Sequence, residues 1–173
     1  MPLPLRTARL TVRRLSAEDA DDVFSVYGDP LVLRFWNSDP LADLAEAAAW
    51  AAAQGGLQLS RGFAQWHVSE TTGGRFVGCL GLQPLEDEVE LLYALVPGAW
   101  GRGYATEAGL AALEYGLGEA GLERVVGIAR EANVASVRVL CKLGMRALGL
   151  AEYWGSRWVK YELTAEEWCA ATA

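Results

Sequence analysis

The segment Trp100-Gly101-Arg102-Gly103-Tyr104-Ala105-Thr106-Glu107 sets two glycines and a small alanine where a strand passes into a helix. Small residues let a ligand approach the backbone. The free N–H groups of a first helical turn, together with the helix dipole, favour negative charge there. Such a segment suits a phosphate, although a tight turn packing a helix on a sheet uses the same glycines and does no chemistry. No Gly-Lys-Ser/Thr follows, so this is not a Walker loop, and no GxGxxG dinucleotide fingerprint is present. Downstream, Asn133, Ser136 and Leu140 have the spacing of one helical face. His67 is the one histidine. That excludes a cage of histidines around a metal and leaves a Ser-His-Asp arrangement dependent on one residue. The cysteines Cys79, Cys141 and Cys169 are odd in number and widely spaced, with no CxxC. They form neither a disulfide framework nor a zinc site, and a reducing cytoplasm suits them.

These residues need elements to hold them. Arg9 to Arg14 alternates apolar and basic residues and is expected to be a strand. Ser16 with Asp19 resembles a capping box opening a helix to Tyr27, stopped by Gly28. Asp39-Pro40 is expected to cap a second helix that ends at Gly55-Gly56. Three strands are expected at 63–70, 76–82 and 89–96, the first two as a hairpin around Thr71-Thr72-Gly73-Gly74 and the third after a turn at Pro84 to Asp87. After the glycine loop, 104–117 has helical spacing, with Leu110, Leu113 and Leu117 on one face. A strand at 124–129 and a helix at 133–143 follow, then closing strands near Tyr153 and at 158–163. Thr164 caps a last short helix. The front half pairs antiparallel. The unit from Val89 to Ala129 needs a parallel pair joined by a crossover helix. The fold class is therefore α/β (α+β), a mixed, mostly antiparallel sheet with helices on both faces.

Length and charge narrow the functions. The chain has 173 residues, 52% apolar and 21% charged, which fits a single globular domain spanning 1–173. Lys plus Arg is 15 against 22 Asp plus Glu, a formal charge of −7. An acidic chain without a basic run is poorly suited to nucleic acid or an anionic membrane. The start, Met1-Pro2-Leu3-Pro4-Leu5-Arg6, lacks the order of a signal peptide, and the longest apolar stretch, 47–53, is far too short to span a bilayer.

Several segments together resemble the GNAT superfamily of acetyl-CoA-dependent N-acetyltransferases, and within it the Rim-type branch. Thr7-Ala8-Arg9-Leu10 with Val12-Arg13 is similar to the opening strand of that family. Phe76 to Leu82 is similar to its Gly-rich strand. Glu90-Leu91-Leu92-Tyr93 is similar to its Glu-x-Gly-Tyr segment, with Leu92 at the place of Gly. Trp100 to Ala105 falls on its phosphate motif, with Trp100 at the first place. Tyr161 to Trp168 resembles its closing strand and cap.

The resemblance implies roles. Backbone amides of Gly101, Arg102, Gly103, Tyr104, Ala105 and Thr106 would hold the pyrophosphate of acetyl-CoA. Leu95 and Val96 would pair by main chain with its pantetheine arm, in a slot where two parallel strands splay. Asn133 would hold the arm or thioester, unless it is only a helix cap. Ser136 would protonate the leaving thiolate, and Glu90 would act as general base. The rival readings are an inert helix serine and a solvated strand carboxylate. Trp36 would wall the acceptor slot. His67 reads as a hydrogen-bonded strand histidine, and Cys141 as buried or idle. The family often places a Tyr where Leu140 stands, so the acid is open. No metal is implied. The implied acceptor is a small amine or a protein N-terminus, and the acidic total, with Asp39, Asp43 and Glu90 near the slot, would draw in an ammonium group. A homodimer is compatible with this reading. A pseudoenzyme that binds acyl-CoA without turnover is the alternative.

Overall fold

The computed structural model describes residues 3–172; Met1 and Pro2, which begin the stretch read as lacking a leader, and Ala173 lie outside the described residues. One sheet of eight strands runs in the order β1-β2-β3-β4-β5-β6-β8-β7. In chain order these are β1 (Leu5–Arg6), β2 (Leu10–Arg14), β3 (Gln65–Glu70), β4 (Phe76–Leu85), β5 (Glu88–Leu95), β6 (Arg124–Ala129), β7 (Arg146–Tyr153) and β8 (Ser156–Thr164). Every neighbouring pair is antiparallel except β5 with β6. That parallel pair is joined through α4 (Tyr104–Leu113), as a parallel connection requires.

Helices cover both faces. Alternate residues of a strand point to opposite sides. On β4 and β5, Leu80, Leu82, Leu91 and Leu95 join one apolar cluster with Ala108 and Leu113 of α4 and Leu140 of α5 (Val134–Lys142). Cys79 and Ala94 turn the other way. They meet Val23, Val26 and Tyr27 of α1 (Ala20–Tyr27), Leu33 of α2 (Pro30–Leu33), and Ala47 and Ala51 of α3 (Leu44–Arg61). A smaller cluster of Leu85, Val126, Tyr153 and Trp158 lies near the β6–β8 side. The last helix, α6 (Ala165–Thr172), follows β8 directly, with the Glu167 carboxylate accepting from the Thr164 N–H at 2.9 Å.

The expected elements are present, with shifted limits. α3 begins at Leu44, not after Asp39-Pro40. Its cap is Asp43, whose carboxylate accepts from Glu46 N–H at 2.9 Å while Glu46 reaches back to Ala42 N–H at 2.7 Å. This reciprocal pair satisfies two free donors, which Asp39 does not do. α3 also runs through Gly55-Gly56 to Arg61. Gly55 is a contact rather than a stop, since a Cβ there would lie 2.6 Å from the Leu15 carbonyl oxygen. β4 continues through Pro84, and the turn narrows to Glu86-Asp87. After Leu113 the chain widens into a π-helical turn, Glu114–Glu119. Leu113 and Leu117 are buried, but Leu110 is exposed, so the three do not share an inner face. Pro30–Leu33, capped by Asp29, was not expected from the sequence.

Candidate active site

β5 and β6 are bridged as a parallel pair at Glu90 and Val126 alone, although β5 continues to Leu95 and β6 to Ala129. A cavity of about 660 Å³ occupies the gap. All six residues from Glu90 to Leu95 line it, on both faces of β5, as do the consecutive Ile128, Ala129 and Arg130. Consecutive residues can share a cavity in this way where a strand edge has no neighbour.

At one end of the gap stands the first turn of α4. Gly101 and Gly103 have φ of +73° and +80°, a region that side chains with a Cβ rarely adopt. Gly103 is the N-cap, and the first bond into α4 runs from Glu107 N–H to the Gly103 carbonyl at 3.0 Å. The N–H groups of Tyr104, Ala105 and Thr106 precede that bond and point out of the helix end. Glu107 fixes this end to the start of β2: it accepts from Thr7 Oγ1 at 2.5 Å, Arg9 N–H at 2.8 Å and Arg9 Nε at 2.6 Å. The ionic and hydrogen-bonding partners hold the Glu107 carboxyl below its ordinary range despite burial.

The strand edge is divided between its residues. Val96 N–H donates to Val77 at 3.0 Å and its carbonyl accepts from Ala99 N–H at 2.9 Å, so both groups are already bonded within the chain. Because backbone groups alternate sides along a strand, the Leu95 amide faces the gap. The Leu95 carbonyl accepts from Trp100 Nε1 at 2.8 Å. Leu95 therefore presents an edge to a ligand, while Val96 does not line the cavity. Arg102 is also outside the lining; its side chain lies 3.6 Å from Glu70.

Two polar sites meet the gap from opposite faces of β5. Asn133 Oδ1 caps α5 by accepting from Ser136 N–H at 3.3 Å, and Asn133 still lines the cavity, so the cap and a ligand contact are compatible. The Ser136 hydroxyl lies 2.8 Å from the Tyr93 hydroxyl, which also donates to the Ser136 carbonyl at 3.2 Å. Burial pushes the Tyr93 phenol up, so it stays protonated. Leu140, where a Tyr was looked for, is buried apolar lining. On the other face Glu90 is 2% exposed. Burial raises its carboxyl from 4.5 to about 7, partly offset by hydrogen bonds from the Gln83 side chain, at 3.1 Å, and the Ile128 backbone. A carboxyl titrating there can accept a proton at neutral pH.

Trp36 lines the same cavity and stacks edge-on against Tyr27 at 5.7 Å. His67 stands apart on β3. It is buried, its Nε2 is 2.9 Å from Asp22 Oδ2, and it contributes nothing to the lining. Asp19, Asp22 and His67 offer ligand atoms within 4.8 Å of one another, but Arg13 already holds Asp19 at 2.6 Å. Cys141 is exposed rather than buried, because it sits on the outer side of α5.

The charge of the lining differs from the expectation. Arg34, Arg130, Arg138 and Lys142 line the cavity against one carboxylate, Glu90; Asp39 and Asp43 do not line it. Asp43 is used as a helix cap. Sequence reasoning passed over Arg130 and Trp158, and met Tyr93 as part of a motif only. The signal for Arg130 was available: it continues the alternation of Val126 and Ile128 on β6.

A mixed sheet opened at one parallel pair, with a helix N-terminus at the opening, is the arrangement that the acetyltransferase resemblance implies. The acetyltransferase (GNAT) domain profile matches residues 9–146, and the chain belongs to that family. The uncharacterized N-acetyltransferase p20 of Bacillus licheniformis is 28% identical over 149 residues, covering 84% of each chain. Among solved structures, the ribosomal-protein-S5-alanine acetyltransferase from Vibrio fischeri superposes with a TM-score of 0.81 at 14% identity, over 95% of this chain and 97% of that one. The spermidine N-acetyltransferase from Vibrio cholerae, in complex with CoA and spermine, gives 0.78 at 14% identity, over 94% and 99%. The structural likeness shows the fold, and the Rim-type resemblance agrees with it.

Proposed function

We propose that this acetyltransferase takes the acetyl group from acetyl-CoA and passes it to a primary amine of a small molecule or protein N-terminus by direct attack, within a single domain in the cytoplasm. The observation that carries this reading is the gap between β5 and β6, ending at the unpaired N–H groups of α4. The first turn of α4 suits the pyrophosphate, and the open Leu95 edge suits the amide-bearing pantetheine arm. Glu90 takes a proton from the incoming ammonium. The amine nitrogen then bonds to the thioester carbon and loses its surplus proton to solvent, the C–S bond breaks, and Ser136, hydrogen-bonded to Tyr93, passes a proton to the thiolate and is reprotonated from solvent. An N–H on the open edge of β5 stabilises the oxyanion, and the cavity supplies proximity. No step needs a metal or a covalent enzyme intermediate.

The test is calorimetry with acetyl-CoA, followed by thiol release against a panel of amines. Binding with turnover supports the reading. Binding without turnover of any amine would make the protein an acyl-CoA-binding pseudoenzyme.

A further inference from the structure

Arg130 lies on the acceptor side of the gap, stacked on Trp158, and has no carboxylate partner among the described residues. Trp158 is 7% exposed and lines the cavity. The Arg130 guanidinium stacks on the Trp158 ring, 4.1 Å from its centroid. It donates to the Arg157 carbonyl at 2.9 Å and to the Asn37 side chain, both neutral. Two of its five N–H groups are thus used, and no carboxylate pairs with it among the described residues.

The pair is set away from the α4 cradle. Arg130 follows the alternation of Val126 and Ile128, the residues beside Glu90, and Trp158 belongs to the Val126 cluster. Tyr104, at the start of α4, packs with the cluster on the opposite face. The cofactor phosphates are therefore matched elsewhere, and this charge remains for the acceptor. Asn37 brings the loop that carries Trp36 onto Arg130, which closes the subsite from above.

We propose that Arg130, stacked on Trp158, forms a carboxylate subsite, so that the acetyl acceptor is an amine that also bears a carboxylate, a free amino acid being the smallest example. This rests on the acetyl-transfer reading and narrows its acceptor. A carboxylate has two oxygens. Both can accept from the free N–H groups of the guanidinium, and the α-amine is left pointing into the gap towards Glu90. The opposite preference, for a cationic amine without an acid, leaves the guanidinium without an anionic partner.

The first experiment is titration of the protein, with CoA present, by the N-acetyl forms of the common amino acids and by the matching carboxamides. The acid of a preferred pair binds about tenfold or more tightly than its amide, the size expected for a hydrogen bond to a charged group. Arg130→Gln removes most of that preference. Trp158→Phe, which keeps an aromatic ring under the guanidinium, retains it, and acetyl-CoA affinity is unchanged in both. Equal binding of acid and amide by the unaltered protein, no binding of any acid, or a preference that survives Arg130→Gln overturns the subsite. Turnover of free amino acids against their amides and decarboxylated amines separates the two readings. Amines without a carboxylate reacting as fast as amino acids overturn the subsite and leave acetyl transfer standing. Carboxylate-selective binding without thiol release from any amine overturns acetyl transfer and leaves the subsite standing.

Discussion

Glu90 is buried enough to hold its proton and placed to receive another group's proton, and the two properties pull pH dependence in opposite directions. As a base it works when ionised, so kcat/KM rises with pH through about 7. As a folded-state group its pKa lies above the unfolded 4.5, so its contribution to stability is complete below about 4.5 and is lost as pH rises through about 7. The shift corresponds to about 3 kcal/mol at most. Glu90→Gln should therefore be more stable than the parent at pH 8 and no more stable at pH 4. It should also be slower by about 10²-fold or more, without the rise near pH 7. Urea denaturation at the two pH values and a pH–rate profile check both halves; a variant that keeps the parental rise removes Glu90 as the base. On the opposite face, Ser136→Ala and Tyr93→Phe each delete one side of a 2.8 Å hydrogen bond. Both should lower kcat by more than they raise the acetyl-CoA Kd, with Ser136→Ala the more severe. Equal losses in kcat and affinity would make the pair a positioning contact rather than a proton donor.

Among the elements, the loop into α4 carries the most specific consequence. A Cβ on Gly103 would meet only Arg9 Nη2, at 3.6 Å, so space is available inside the protein. The obstacle is the backbone, since φ of +80° disfavours a β-branched residue. Gly103→Val should weaken acetyl-CoA binding by about 100-fold or more, a loss of about 2.7 kcal/mol, while circular dichroism stays native. Retained affinity in the folded variant would place the phosphates elsewhere. The glycine loop and the start of α4 were legible in the sequence because they are local: strand, glycines and helix follow closely along the chain. The limits of α3 were less so. Asp39-Pro40 looks like a helix start, but the cap is Asp43, whose deciding partner, Glu46 three residues on, acts only through reciprocal side-chain bonds. The Tyr93–Ser136 contact and the Arg130–Trp158–Asn37 cluster join residues from separate elements. No spacing along the chain encodes them. They arise from which face of each strand meets which neighbour.

At the scale of the molecule, total charge proved a poor guide to local charge. The chain carries −7, yet its cavity is lined by four cationic side chains and one buried acid, Glu90. The acids of the sequence are spent on caps and surface ion pairs, Asp43 and Glu107 among them. The sheet itself has a further consequence. With one bridge at Glu90 and Val126, β1 to β5 and β6 to β8 are two half-sheets that share a short seam. Apart from that bridge, the amides facing the gap have no strand to pair with, so they should exchange their hydrogens for deuterium quickly and as a group. A pantetheine arm seated there would act as the missing strand and lend its amides to the ladder. Saturating CoA should then slow exchange at Tyr93 and Leu95, whose amides face the gap, while β2 to β4, already paired on both sides, change little. The melting temperature should climb with CoA concentration by mass action. Viewed this way, the protein finishes folding only when its co-substrate arrives, and the seam would be the first place to part once the spent thiol leaves.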